Sequence, residues 1–362
     1  MSNKYNSKKK GLLGSYIKTN FEGTQKGKLK YSNVDDKWLE KEETKAQRER
    51  NQDLLKFAYL GDKRRVKIAL TYDNAANINS TDKNGNNALI LSVYSREEEV
   101  VKYLANYHKD EKGWEIPGIV PIDLDHVNQD CVSALHLSSK LKNHKISKII
   151  LAAGANPNVL GKFGETPIFE SVKEADPDGI EILYSFGADL NHRNREGFTP
   201  AIVACQNRFR QEALLKLKKL GADLRIRDKA GRTTLMHAAN NDNGAIMDIL
   251  LKECGEKEFI NASDKNGVTA LMICAKRGNR EATRVLLARG ANPFALDNKG
   301  LDAMDYAYRY QNHTCAEIIA KAQRIYLQAQ EKFQTPDQKA SYLSAQLEAI
   351  GKQNRIQNSC SK

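Results

Sequence analysis

Long apolar runs are missing from this sequence. No stretch approaches the roughly 18 residues that a membrane-spanning helix needs. Lysines near the start (Lys4, Lys8, Lys9, Lys10) are followed by only Leu12 and Leu13, too short an apolar stretch for a secretory leader. Ser2 stands where N-myristoylation would require glycine. A cytoplasmic protein is therefore expected. Cysteine is sparse as well: there are six, the nearest two being Cys254 and Cys274, so no Cys-x-x-Cys ligand pair exists. They are expected to be reduced, small core residues. His-Glu-x-x-His, the phosphate-binding Walker loop, Gly-x-Gly-x-x-Gly and Gly-x-Ser-x-Gly are all absent. Histidines are scattered, and nothing in their spacing calls for a metal or any other cofactor. No enzyme is expected.

The 362 residues carry a net charge of +12. Residues 1–30 hold eight lysines against Glu22 alone. Such a balance favours anionic partners without choosing among protein, lipid and nucleic acid.

What is abundant is repetition. Gly164-Glu165-Thr166-Pro167 returns as Gly197-Phe198-Thr199-Pro200, then as Gly231-Arg232-Thr233-Thr234 and Gly267-Val268-Thr269-Ala270. Gly85-Asn86-Asn87-Ala88 and Cys131-Val132-Ser133-Ala134 fit the same frame, and Gly300-Leu301-Asp302-Ala303 is a worn copy. From Cys131 onward the spacings are 33, 33, 34, 36 and 33. A second marker keeps the same phase: Gly154-Ala155-Asn156, Gly187-Ala188-Asp189, Gly221-Ala222-Asp223 and Gly290-Ala291-Asn292. Proline after threonine suits a first helical position, where no amide bond is lost. Glycine before Ala-Asn/Asp suits a left-handed helix stop.

These motifs resemble the ankyrin-repeat family over roughly residues 50–320. The resemblance implies an all-α repeat solenoid of helix-turn-helix units with β-turn fingers, stable only as an array. We expect a basic, disordered tail at 1–34 and a charged helical lead-in at 35–50. An array of six to eight units follows at 51–320, with an insertion near 105–127. A C-terminal helical cap over 321–362 includes a last helix that Gly351 should stop. Cys131 in place of the turn glycine is expected to distort its finger. His136 and His237, at the family's helix-opening histidine position, are expected to tie adjacent units. The insertion reads as a long finger carrying Trp114, Ile116, Ile119 and Val120; it either folds back and buries its tryptophan or presents it.

In the family, ligands lie along the fingertips and the inward side of the first helices. Carried over, this face has 35 positions with twelve Lys or Arg and four acids. The residue two before the turn glycine is basic in five of seven units. Candidate partner-binding residues are Lys83, Tyr94, Trp114, Lys162, Phe163, Arg195, Phe198, Lys229, Arg232, Lys265, Lys276 and Arg277. The leading expectation is a monomeric, non-catalytic adaptor or scaffold that binds a protein with acidic segments. Attachment to an anionic membrane surface through residues 1–30 is an alternative, and nucleic-acid binding ranks below both. Lys/Asn-rich chains of this kind also resemble effectors that host-associated microbes deliver into host cells.

Overall fold

The computed structural model describes residues 45–71 and 75–352. The basic tail, residues 35–44 of the lead-in and the last ten residues lie outside that range.

The described chain is a row of helical hairpins. Its inner and outer helices pair as α1 (Lys45–Leu60) with α2 (Lys63–Thr71), α3 (Ala88–Ser95) with α4 (Glu98–Ala105), and α5 (Ala134–Lys140) with α6 (His144–Ala152). Next come α7 (Pro167–Lys173) with α8 (Pro177–Ser185) and α9 (Pro200–Cys205) with α10 (Gln211–Lys219). Then α11 (Thr234–Asn240) pairs with α12 (Gly244–Glu253), followed by the short α13 (Lys257–Ile260). The row closes with α14 (Ala270–Arg277) and α15 (Arg280–Ala288), then α16 (Ala303–Arg309) and α17 (His313–Lys332). The expected boundary at residue 50 falls inside α1.

Each inner helix touches the inner helices on either side, and outer helices do likewise. One apolar core therefore runs the length of the row, from Leu54 through Phe169 and Leu235 to Ile319. A single hairpin has no second wall for that face, so its stability depends on its neighbours. Local signals set the register. Thr199, Thr233 and Thr269 each accept an amide hydrogen bond as N-caps, and Pro167 and Pro200 occupy first helical positions. No described helix is long and apolar enough to cross a membrane.

Three expectations need correction. Cys131 does not distort its finger: it takes φ +58°, the left-handed region that glycine fills elsewhere, and its amide makes the usual turn bond to Asn128. His237 does not tie two units; its Nε2 lies 3.0 Å from Asp228 of its own finger. Gly351 does not stop the last helix, α18 (Pro336–Lys352), which runs past it. That glycine lets α18 settle closely on α15, since a Cβ there would lie 3.0 Å from that of Ala288. The last helix, α18, rests on α15 and α17, along the outer side of the last two pairs.

The insertion holds a finger of its own. Asp110 Oδ1 accepts the amides of Lys112 and Trp114, Asp110 N donates to Trp114 O at 2.8 Å, and Gly113 has φ +85°. The same pattern builds the finger at Asp82. Here no helix pair follows, and Trp114 stands 72% exposed rather than folded back.

Candidate functional site

Fingers precede the inner helices and are built alike. In every one but the finger at Gly161, an Asp or Asn opens the turn, and its side-chain oxygen accepts the amides two and four residues on. Asp82 does this for Asn84 and Asn86, Asn194 for Glu196 and Phe198, Asp228 for Ala230 and Arg232, and Asp264 for Asn266 and Val268. This cap holds a tight turn whose second residue points its amide along the row.

That amide links the fingers. Gln129 N donates to Asn84 O at 3.0 Å, Arg195 N to Phe163 O at 2.8 Å and Lys229 N to Glu196 O at 3.2 Å. Lys265 N donates to Ala230 O at 3.0 Å and Asn298 N to Asn266 O at 2.9 Å. The turn glycines permit this spacing: a Cβ on Gly267 would lie 2.8 Å from Asn298 N. Behind the tips a second set of ties recurs. Asn79, Asp125, Asn158, Asn191 and Asn261 each accept an amide of the following unit, such as Asp189 N on Asn158 Oδ1 at 2.8 Å. Arg225 holds that position in one finger and pairs instead with Glu256 at 2.7 Å.

The ladder therefore places Lys162, Arg195, Lys229 and Lys265 in one line along the fingertips. All are exposed and none makes an ion pair with a described residue. Lys162 lies over the Phe163 ring at 5.4 Å, and Lys276 over that of Tyr310 at 4.9 Å. Lys83, Tyr94 and Arg277 are also exposed, Arg277 donating to Asn240. Two candidates are more tightly held. Phe198 is half-buried, edge-on to His237 at 5.3 Å, and Arg232 donates to Asp228 at 2.9 Å. Trp114 lies on the separate finger.

Burial sets the chemistry of the polar groups beneath. It pushes the His136 imidazole below its ordinary range, although the Glu165 carbonyl at 3.1 Å and nearby carboxylates pull the other way. His237 is lowered by burial too, against the pull of Asp228. Burial raises the Asp228 carboxyl, but the Arg232 amide, the His237 ring and the Arg232 guanidinium outweigh it and hold it low. The Tyr306 phenol, half-buried and bonded to Asp297, is pushed up to about 12. These groups brace turns. Among the described residues, no cluster of His, Cys, Asp or Glu is placed to hold a metal ion.

Two hollows open on the inner face. One, about 310 Å³, lies between the fingers at Asn128 and Gly161, with Tyr94, Val132, His136, Lys140 and Phe163 in its wall. The next, about 390 Å³, shares Phe163, Glu165 and Lys173 with it and adds Phe198 and Arg210. Sequence reasoning left the Val132 and His136 wall out of the candidate set. A signal was available: Gly161-Lys162-Phe163-Gly164 departs from the Asp/Asn opening of every other finger.

Comparison with known proteins agrees with this geometry. The family model for ankyrin repeats (3 copies) matches in overlapping stretches, 54–160, 135–228, 168–261, 202–297 and 235–330. The mouse (Mus musculus) B-cell lymphoma 3 protein homolog is 32% identical over 163 residues, which are 44% of this chain and 36% of that protein. The chicken (Gallus gallus) nuclear factor NF-kappa-B p105 subunit is 28% identical over 245 residues, 66% of this chain and 23% of that one. This chain thus spans about a third or less of either relative. The crystal structure of the Bcl-3 ankyrin repeat domain matches with a TM-score of 0.56 at 25% identity, covering 66% of this chain and 100% of that domain. The chain belongs to the ankyrin-repeat family.

Proposed function

We propose that this protein is a non-catalytic adaptor that binds an acidic segment of a partner protein along its fingertips. Ankyrin repeats mediate protein–protein interaction. The observation that carries the acidic preference is the line of Lys162, Arg195, Lys229 and Lys265, held in register by consecutive backbone bonds and without internal counter-charges. An ordered row of one sign attracts an extended ligand of the other and sets its register. Exposed aromatic rings beside the row, Phe163 and Tyr310, supply apolar contact of the kind that anchors interfaces.

The test is affinity capture with the wild-type chain beside a variant carrying Lys162→Glu, Arg195→Glu, Lys229→Glu and Lys265→Glu. Deletions of residues 1–30 and 107–121 serve as controls for the other surfaces. The adaptor reading expects the charge variant to lose its partners while both deletions keep them. Unchanged capture by the charge variant rejects the fingertip row as the binding surface.

A further inference from the structure

The finger ladder has one open rung. By analogy with its neighbours, Lys162 N should donate to Asp130 O, yet among the described residues neither group has a partner. The finger at Gly161 is also the one built without the Asp or Asn cap. A Cβ at Gly161 would lie 2.6 Å from His136 Nε2 and 2.9 Å from Cys131 O, so the capping side chain has no room. Without that cap the turn changes form. Phe163 takes φ +59°, which no equivalent fingertip residue does, and its ring is 56% exposed. A bulky side chain in the left-handed region is strained, and such strain persists where the surroundings enforce it.

We propose that this open rung is the anchor point of an acidic linear peptide, which inserts one large apolar side chain between the two fingers. The proposal rests on the adaptor reading and gives it a position and an orientation. An unpaired amide and carbonyl on adjacent fingertips suit the main chain of an extended guest. Phe163, Tyr94 and Val132 supply an apolar wall to the hollow below.

Charge separates the anchor from the rest of the peptide. In the floor, Lys173 is already held by Glu165 and, at 3.0 Å, by Glu170. Burial alone would lower its pKa, but the two carboxylates keep it raised, so the floor holds no spare positive charge. Asp130 also stands at the mouth. A carboxylate or phosphate has little reason to enter, whereas an apolar side chain does. Outside the floor, Lys140 and Lys162 make no ion pairs with described residues, and Arg195, Lys229 and Lys265 continue the row on later fingers. The acidic residues of the peptide therefore lie on that side of its anchor.

A random linear 12-mer peptide library displayed on phage and selected on the full chain tests this. Selected peptides should share one aromatic or large aliphatic position flanked on one side by Asp and Glu. Phe163→Asn, which suits the left-handed backbone, should weaken them at least tenfold without lowering the melting temperature. Bound peptide should also shield Cys131, an exposed thiol in the wall of the hollow, from iodoacetamide in peptide mapping. Peptides that ignore Phe163→Asn and leave Cys131 reactive, yet are lost with Lys229→Glu and Lys265→Glu, overturn the anchor and leave the adaptor reading standing. Peptides that survive both sets of substitutions overturn both. So does displacement of bound peptide by poly-uridine that binds Phe163→Asn equally well.

Discussion

The Arg195 amide donates to the Phe163 carbonyl at 2.8 Å, so Phe163 is pinned to the finger that follows it and not to the one before. The same residue thus closes one seam of the ladder and borders the seam left open.

Amide hydrogen exchange should reveal this asymmetry. The Arg195, Lys229, Lys265 and Asn298 amides each bond to a neighbouring finger, and Lys162 N has no partner. Under native conditions the Lys162 amide should exchange at least about tenfold faster than those four, since an exposed unpaired amide needs no opening event. Equal protection across all five would mean that the open rung closes in solution.

Five inner-to-outer helix junctions carry a residue other than glycine in the left-handed region: Arg96, Lys142, Ala175, Asp242 and Gln311. Gly278 fills the same position in a sixth, with φ +72°. Ala175→Gly removes a Cβ penalty of about 1–2 kcal/mol and loses part of it to unfolded-chain entropy. The expected outcome is stabilisation of about 0.5–1 kcal/mol in urea denaturation. A loss of stability would show that Ala175 has packing worth more than its strain.

Stability should fall on mild acidification. His136 and His237 both have folded pKa values pushed below the ordinary value of about 6.5. Between the folded and unfolded values the unfolded chain binds protons that the folded chain does not. The contribution is therefore complete above about pH 6.5 and drains away as pH falls through the folded values. Urea midpoints at pH 7.5 and pH 5.5 should differ, and His136→Asn with His237→Asn should narrow that difference. A midpoint independent of pH in that window would contradict the burial argument.

Asp228 accepts two amides, the Arg232 guanidinium and the His237 ring while almost wholly buried. Asp228→Ala strands those donors and should cost about 3 kcal/mol, whereas Asp228→Asn keeps an acceptor and should cost about 1 kcal/mol. Denaturant titration of both variants separates the two values.

The repeat frame was legible because its signals are local. A Thr cap, a Pro at a first helical position and a glycine in the left-handed region each act within a few residues. Cys131 misled because left-handed geometry was credited to glycine alone, although the turn bonds to Asn128 hold a side chain there. His237 misled because its partner, Asp228, sits in its own finger. The insertion was legible as a long finger, and Asp110-Glu111-Lys112-Gly113 follows the common pattern; the exposure of Trp114 was not, because it depends on what the finger packs against. The open rung was beyond sequence reasoning, since it depends on how the His136 ring crowds Gly161 across two units. Only the missing Asp or Asn at position 161 pointed to it.

The tie between Arg225 and Glu256 differs in kind from those on either side. Amide-to-Asx bonds join the other units and are indifferent to dissolved ions, whereas an exposed ion pair is weakened by them. Raising the ionic strength therefore weakens this tie, while the Lys265 amide on the Ala230 carbonyl and the apolar core beneath still clamp the same seam.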